Sequence, residues 1–303
     1  MDSSQSVLKT IVTRTRTHLD EVDVDAKYTD DFMIRHYVCP SIVDVLARLN
    51  LNADNPVVNI LDISIEDGTS DYALPPCVQT VLALVVQDDD GRVLYDVRPE
   101  SRFSWRAKGF ALEGNLISID PVMSTNGWNV SLWYISNGDT RPHYSTGGGT
   151  LRTNADGDQE FVLGTPTLGE VDRRVNGYAG QLLRLLPASP AALESRVIKR
   201  TYVDGTDWVV VLRHPFIETA EGSAIPYEIA PGEAEALMDA VSYSAALKLG
   251  TARKISEPHA RALTLQYRNA MKTIGDNLSL INSRLFKRVE KKTQDKGWGP
   301  FSE

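Results

Sequence analysis

The sequence predicts an α+β chain: a helical bundle formed by N- and C-terminal helices, a β-rich middle of barrel or sandwich type, and a second β segment inserted ahead of the last helices. Three observations carry this expectation. Apolar residues recur at helical spacing near both ends, period-two β-branched runs fill residues 56–137, and a Gly/Ser/Pro-rich stretch separates those runs from a further β segment at 138–222. The helical assembly domain is therefore expected to draw on residues 1–55 and 223–285, with 286–303 as a C-terminal docking tail.

At the N-terminus, Val7, Leu8, Ile11, Val12 and Leu19 form an apolar stripe, with Lys9, Arg14 and Arg16 read as its solvated face. An acidic stretch, Asp20 to Asp25, closes that helix. Thr29 then offers an N-cap followed by Asp30 and Asp31, carboxylates that suit the positive end of a helix dipole. Ile34, Val38, Ile42, Val45 and Leu49 stripe this second helix, which Pro40 should kink near residues 37–39 because it removes an internal amide.

The runs VVNILDISI, VQTVLALVV, RVLYDV, NLISID and WNVSLWYI read as strands, with Asp90-Gly91 and Asn126-Gly127 as tight hairpin turns. SNGDTRPHYSTGGG reads as a linker in which Gly147, Gly148 and Gly149 are flexible. Beyond it, GQLLRLL, SRVIKRTYV and DWVVVLRH are expected strands, the last two joined through Asp204-Gly205, with Pro187 and Pro190 between the first and second. After Pro231, the residues Ala236, Leu237, Ala240, Val241, Ser244 and Leu247 give a small-residue helix face, with Gly250 as its C-cap. Ser256-Glu257-Pro258 opens the longest helix, in which Leu263, Tyr267, Ala270, Ile274, Leu278, Ile281 and Leu285 form a heptad-like seam for packing or interface.

Bulk properties exclude several classes. A net charge of -8 argues against a dedicated nucleic-acid binder but is compatible with an acidic channel wall that lets DNA slide past. Cys39 and Cys77 lack CxxC spacing and read as reduced, buried thiols. No apolar run reaches the length of a membrane span, and MDSSQSVLKT lacks the apolar core of a signal peptide, so a soluble product made in the cytoplasm is expected.

The residues point to no chemistry. His18, His36, His143, His214 and His259 are scattered, with none at metal-ligand spacing to another histidine or a cysteine. The sequence has no GxSxG, Walker, GxGxxG or HExxH motif. Asn154 to Glu160 places oxygens on alternate residues like part of a calcium loop, but the pattern is incomplete and a solvated turn on Asp156-Gly157 is the better reading. Glu66, Asp67 and Asp71 are expected to be inert loop carboxylates, and no catalytic, metal or cofactor residue is assigned. In the basic tail SRLFKRVEKKTQDKGWGPFSE, Trp298 and Phe301 would be poorly used unless a partner buries them.

VLKTIVTRTRTHLDE followed by YTDDFMIRHYVCPSIVDVL resembles the start of tailed-bacteriophage head-to-tail adaptor (connector) proteins, a short helix leading to an aromatic-[ST]-D-[DE] cap and a second helix. DYALPPCVQTVLALVVQDDDGRVLYDV resembles that family's Y-LP strand and hairpin, GFALEGNLISIDPVMSTNGWNVSLWYI its next strands, and PYEIAPGEAEALMDAVSYSAALKLG with the following helix its C-terminal helical pair. Cys39-Pro40-Ser41 departs from the family's uninterrupted second helix, and the 138–222 segment is absent from its smaller members. The resemblance implies a structural virion protein at the neck between head and tail: a homo-oligomeric ring, commonly of twelve subunits, docked under the portal protein. Such a ring extends the channel for genomic DNA, without sequence recognition, and is a platform for tail tube, nozzle or fibre proteins. It also implies portal or neighbour docking by Arg284, Leu285, Phe286, Lys287, Arg288, Lys291, Lys292, Trp298 and Phe301, and ring-helix packing by the seam Leu263 to Ile281. The alternative is a binding module whose β insertion recognises a carbohydrate or receptor by stacking on Tyr202 and Trp208; a polymer hydrolase is the more distant third.

Overall fold

In the computed structural model the chain is mixed α+β, with helices towards both ends and antiparallel sheets between them. The structure describes residues 6–20, 28–51, 56–63, 69, 71–87, 93–97, 110–119, 129–139, 141–186, 194–217 and 221–294; the side chains of 86–87, 93–97, 129 and 279–294 fall outside that description.

Helix α1 (Val7–His18) starts at Ser6, whose hydroxyl accepts from the Lys9 amide at 3.1 Å, and it buries Val7, Leu8, Ile11 and Val12. Arg16 corrects the solvated-face expectation: it is buried, and its guanidinium donates to the Tyr28 carbonyl at 2.6 Å and to Asp30 at 3.1 Å. Both bonds are made by Nη2, while Nε and Nη1 are buried without an acceptor among the described residues, so these bonds replace only part of the water this charge gives up. Thr29 caps α2 (Asp30–Met33) as expected, accepting from the Phe32 amide at 3.3 Å. The expected irregularity at Pro40 takes the form of a π-helical turn over Ile34–Val38, after which α3 (Cys39–Asn50) begins with the proline in its first turn, where no amide proton is needed.

The first β region contains β1 (Val58–Ile63), β2 (Asp71–Ala73), β3 (Val78–Gln87), β4 (Val93–Val97), β5 (Phe110–Glu113), β6 (Leu116–Ile119) and β7 (Asn129–Ser136). They form a sheet of order β1-β7-β3-β4 and a smaller sheet of order β2-β6-β5, which share a core of Leu61, Leu84, Phe110, Ile117, Leu132 and Tyr134. Strands β3 and β4 pair antiparallel, though the Asp90-Gly91 turn between them lies outside the described residues. The expected hairpin turn at Asn126-Gly127 lies outside the described residues, and the described strands on either side of it, β6 and β7, belong to different sheets. Strand β7 finds longer ladders with β1 and β3 than four-residue β6 can offer, and the tight hairpin here is β5–β6 across Gly114-Asn115.

The second β region contains β8 (His143–Thr153), β9 (Gln159–Val162), β10 (Leu168–Gly169), β11 (Leu182–Leu185), β12 (Ser195–Asp204), β13 (Asp207–Leu212) and β14 (Gly222–Ala230). Pairing runs β8-β14-β11-β12-β13-β9 and returns from β9 to β8, so six strands close into an antiparallel barrel, with β10 added beside the start of β8. Its interior is filled by Leu151, Phe161, Leu183, Ile198, Val210, Tyr227 and Ile229, so it is a packed core and not a pore. The three-glycine run is not a linker but lies within β8. A Cβ on Gly148 would sit 2.2 Å from the Ala224 carbonyl carbon, and one on Gly149 would sit 2.3 Å from the Phe161 ring. Glycine is needed there because neighbouring strands approach too closely for a side chain. The sheet also runs through β14 to Ala230, across the expected domain boundary at 222/223, and helical structure returns after Pro231.

A 3-10 turn at Gly232–Ala234 leads to α4 (Met238–Arg253) and α5 (Glu257–Gln294). Helix α4 does not end at Gly250 as expected. It continues to Arg253 and is closed by Lys254 in the left-handed region, while Gly250 lets Ile255 and Leu19 pack close. One apolar cluster joins Leu8, Ile11, Ile34, Ile42, Leu46, Val241, Leu249 and Leu263, and thereby unites helices from both ends of the chain.

Candidate functional site

The joint between barrel and helices is built on β14, whose successive side chains face two cores. Tyr227 and Ile229 enter the barrel, whereas Ala230 belongs to the helical cluster and Glu228 meets the start of α1. The Glu228 carboxylate is 1% exposed; it accepts from the Ser6 hydroxyl, from the Val7 amide at 3.0 Å and from the Leu8 amide at 3.2 Å. It thus satisfies amides that the first turn of a helix leaves unpaired. Burial pushes its carboxyl above the usual range, while the hydrogen bonds from Ser6, Leu8 and Val7 and the Arg184 charge pull it down. Strand β8 adds to the joint through Tyr144, over whose ring the Lys9 ammonium lies 4.5 Å from the centroid.

At one end of the barrel, His143 is enclosed between two tyrosines. Its Nε2 is 2.7 Å from the Tyr227 hydroxyl and its Nδ1 is 3.3 Å from the Tyr178 hydroxyl. The Tyr227 hydroxyl also lies 3.2 Å from the Gly164 carbonyl and the Tyr178 hydroxyl 3.1 Å from the Glu170 carbonyl, while Tyr178 accepts from the Asp172 amide at 2.7 Å; because a neutral imidazole carries one N–H, one phenol donates to the ring and the other accepts from it. Burial pushes His143 down to about 4 and raises both phenols above their usual range. A neutral imidazole thus ties together β8, β14 and the segments after β9 and β10. The adjoining Asp172 carboxylate is fully buried against Arg174, which also binds Asp139 at 2.6 Å. Arg174 borders a groove of about 670 Å³ with Pro75, Val78, Leu112 and Val175, but its charge is already neutralised by two carboxylates.

Of the expected ring-helix residues, Leu263 and Tyr267 are buried in the chain's own helical cluster, and Ala270, Ile274 and Leu278 pack partly against it. Arg48 of α3 lies over the Tyr267 ring, 5.4 Å from its centroid. Ile281, Arg284, Leu285, Phe286, Lys287, Arg288, Lys291 and Lys292 fall within α5, but their side chains lie outside the description; Trp298 and Phe301 lie outside the described residues altogether.

Tyr202 and Trp208 do not make a joint stacking platform. Tyr202 pairs with Val209, and Trp208 with Val203, so the two rings point to opposite faces of the β12–β13 hairpin. The Tyr202 hydroxyl instead donates to buried Glu160 at 2.7 Å. The Asn154–Asp158 segment is a hairpin turn between β8 and β9, in which the Asn154 side-chain oxygen accepts from the amides of Asp156 and Asp158. Asp71 accepts from Ser118 across a strand pair, while Glu66 and Asp67 lie outside the described residues.

His18 approaches the Ser242 hydroxyl at 3.2 Å, but Ser242 is fully buried in a helix seam and donates to the Asp239 carbonyl, so it is a packing contact and not an exposed nucleophile. Both cysteines are free. Cys77 is buried as expected and Cys39 only half-buried, and burial pushes each thiol up to about 12, away from the reactive thiolate. Among the described residues, no cluster of His, Cys, Asp and Glu could hold a metal ion, and no helix is long and apolar enough to cross a membrane. The polar constellations that sequence reasoning missed, around His143 and Glu228, have a structural logic, and only a tertiary contact reveals them. No protein-family model and no curated protein sequence matches the chain.

Proposed function

We propose that the chain is a non-enzymatic structural virion protein, the subunit of a tailed-bacteriophage head-to-tail adaptor. In this reading it is made in the host cytoplasm and works at the neck of the virion. Twelve copies form a ring under the portal protein, extend the channel for genomic DNA and carry tail tube, nozzle or fibre proteins. The helices from both ends act as a bundle that builds the ring, the barrel is an added module on its flank, and the residues from Arg284 to Phe301 reach the portal.

One observation carries the reading. Helices from the two ends of the chain, α1, α3, α4 and the start of α5, meet in one apolar cluster that includes Leu8, Ile42, Val241 and Leu263. The β regions held between terminal helices, in the order of the resemblance described above, support it as well. Electron microscopy and mass photometry of the full chain, alone and mixed with its portal protein, test the proposal. Rings that bind the portal are expected; a protein that stays monomeric and never joins a portal refutes it.

A further inference from the structure

The barrel end around His143 offers four hydrogen-bond contacts in two chains. Nε2 is 2.7 Å from the Tyr227 hydroxyl, which is 3.2 Å from the Gly164 carbonyl; Nδ1 is 3.3 Å from the Tyr178 hydroxyl, which is 3.1 Å from the Glu170 carbonyl. A neutral imidazole and two phenols bring three protons to these four contacts, whereas an imidazolium and two phenols bring four. The neutral site is one proton short.

The distances say where the gap falls. O–H donors make shorter bonds than N–H donors, so 2.7 Å at Nε2 fits Tyr227 donating to the ring, and 3.3 Å at Nδ1 fits the ring N–H donating to Tyr178. Tyr178 is then saturated: it accepts from Nδ1 and from the Asp172 amide at 2.7 Å, and it donates to the Glu170 carbonyl. The Gly164 carbonyl is left facing a phenol whose proton points to the ring. Its backbone is held in place, since a Cβ on Gly164 would lie 1.9 Å from the Gly148 carbonyl oxygen in the β8 glycine run.

The charged groups at this end have partners of their own. Glu170 pairs with Arg141 at 2.8 Å, Asp172 and Asp139 share Arg174, each at 2.6 Å, and Asp31 of α2 pairs with Arg35 at 2.9 Å. From β14 the ring meets Tyr227, while Glu228 turns to the start of α1, and β9 brings the Phe161 ring edge-on to Tyr227. Among the described residues no carboxylate bonds to the imidazole, so a charge on the ring has to be held by the two phenols.

We propose that the folded barrel takes a second proton at His143 Nε2, and that this proton turns the Tyr227 hydroxyl from the ring to the Gly164 carbonyl. The step is proton uptake from solvent. An Nε2–H bond forms, the phenol keeps its own proton and rotates about its C–O bond, and no covalent bond breaks. All four contacts are then filled, and the ring charge is relayed through the phenols to two carbonyl dipoles. Burial opposes the charge and places the uptake in acid, at about 4. The arrangement is an acid latch: when the ring charges, the barrel end gains a hydrogen bond where the segment after β9 meets β8. It goes beyond the adaptor reading and does not depend on it.

Nitrogen and carbonyl NMR of the full chain, selectively labelled at histidine and at the carbonyls of Gly164 and Glu170, tests the proposal in solution or on sedimented assemblies. At neutral pH, His143 is expected to carry its proton on Nδ1 and none on Nε2. As pH falls through about 4, Nε2 should gain a proton while circular dichroism shows the fold intact, and the Gly164 carbonyl should shift with the same midpoint. Tyr227→Phe should weaken proton binding at His143 about tenfold or more and abolish the Gly164 shift, because the charged ring loses its relay. Tyr178→Phe should leave the Gly164 shift in place, which separates it from titration of the neighbouring carboxylates.

A proton on Nε2 at neutral pH would overturn the assignment. So would a Glu170 carbonyl that moves with the ring while Gly164 stays still, or a Gly164 shift that survives Tyr227→Phe. A chain that unfolds before His143 titrates would show that the folded barrel takes no second proton, and the latch falls while the adaptor reading stands.

Discussion

In the barrel, each of the six strands has a partner on both sides, because β9 pairs with β13 and with β8. Its interior is filled by its own side chains, and its buried histidine is satisfied by its own tyrosines. The helical cluster is assembled differently, from α1, α3, α4 and the first part of α5, segments drawn from both ends of the chain. Closure removes strand edges and leaves the barrel with nothing to offer a sheet partner at those positions. The helices have no such closure. The contrast teaches where each core comes from: a barrel variant should act on a core that one continuous stretch of chain supplies, and a helical variant on a core that both ends of the chain must meet to make.

The largest effect should come from emptying the barrel. Phe161 is fully buried beside the closure point, so Phe161→Ala is expected to cost about 3–5 kcal/mol in urea denaturation. The transition should remain single, because Glu228, the Asn59–Glu233 bond and the Arg35 bond to the Gly169 carbonyl couple the regions. A barrel that melts separately, with the helices intact, would break the comparison by making the two regions independent.

Next in size is acid. His143 is pushed down to about 4, from an ordinary 6.5, so between those values the unfolded chain binds the proton that the folded chain refuses. Stability contributed by the neutral, buried imidazole is present above pH ~6.5 and falls by roughly 1.4 kcal/mol per pH unit towards pH ~4, about 3 kcal/mol in all. Denaturation of wild type and His143→Gln across this range measures it: the variant should lack that part of the slope, and equal slopes would show that His143 is not the group responsible.

How much of this was legible follows from the range of each interaction. The stripes of Ile34 to Leu49 and Leu263 to Leu278, the Thr29 cap and the Asp204-Gly205 hairpin are local patterns, and the residues involved lie within a few positions of one another. Barrel closure was not legible, because it depends on β9 reaching β13 about fifty residues on, at a register that no local pattern encodes. The glycine run read as a linker because composition cannot distinguish freedom from crowding. Strand β14 escaped notice because Tyr227, Glu228, Ile229 and Ala230 are all buried, so its alternation runs between two cores and not between core and water. Arg16 and Glu228 were unreadable for a related reason: a charged residue looks solvated until its partners, Tyr28 and Asp30 or the start of α1, are brought to it.

Glu228 tests the joint itself. Replacing it by Gln keeps the shape but leaves at least one donor among Ser6, Val7 and Leu8 facing an amide that cannot accept, at a cost of about 2 kcal/mol. Its pH dependence runs against that of His143. Burial raises this carboxyl in the folded state, so its titration adds stability below the ordinary carboxylate range and removes it as pH rises through the raised value. The cost of Glu228→Gln should therefore be largest in acid and shrink towards neutrality; a cost that grows with pH would mean that the three donors outweigh burial.

The smallest effect belongs to the Thr29 cap. Thr29→Ala removes the acceptor for the Phe32 amide at the start of α2 and is expected to cost about 1 kcal/mol, read as a small drop in the urea midpoint with an unchanged slope. Its value lies in the site it occupies. Asp31, two residues on, accepts from the Gly169 amide at 2.8 Å, and Arg35 donates to the Gly169 carbonyl at 2.8 Å, so the start of α2 is tied to β10 at the barrel end that holds His143. If the helices and the barrel are coupled there, loosening the cap should raise amide exchange at Gly169 as well as at Phe32. Exchange that rises at Phe32 alone would leave Glu228 and β14 as the principal connection between the two regions.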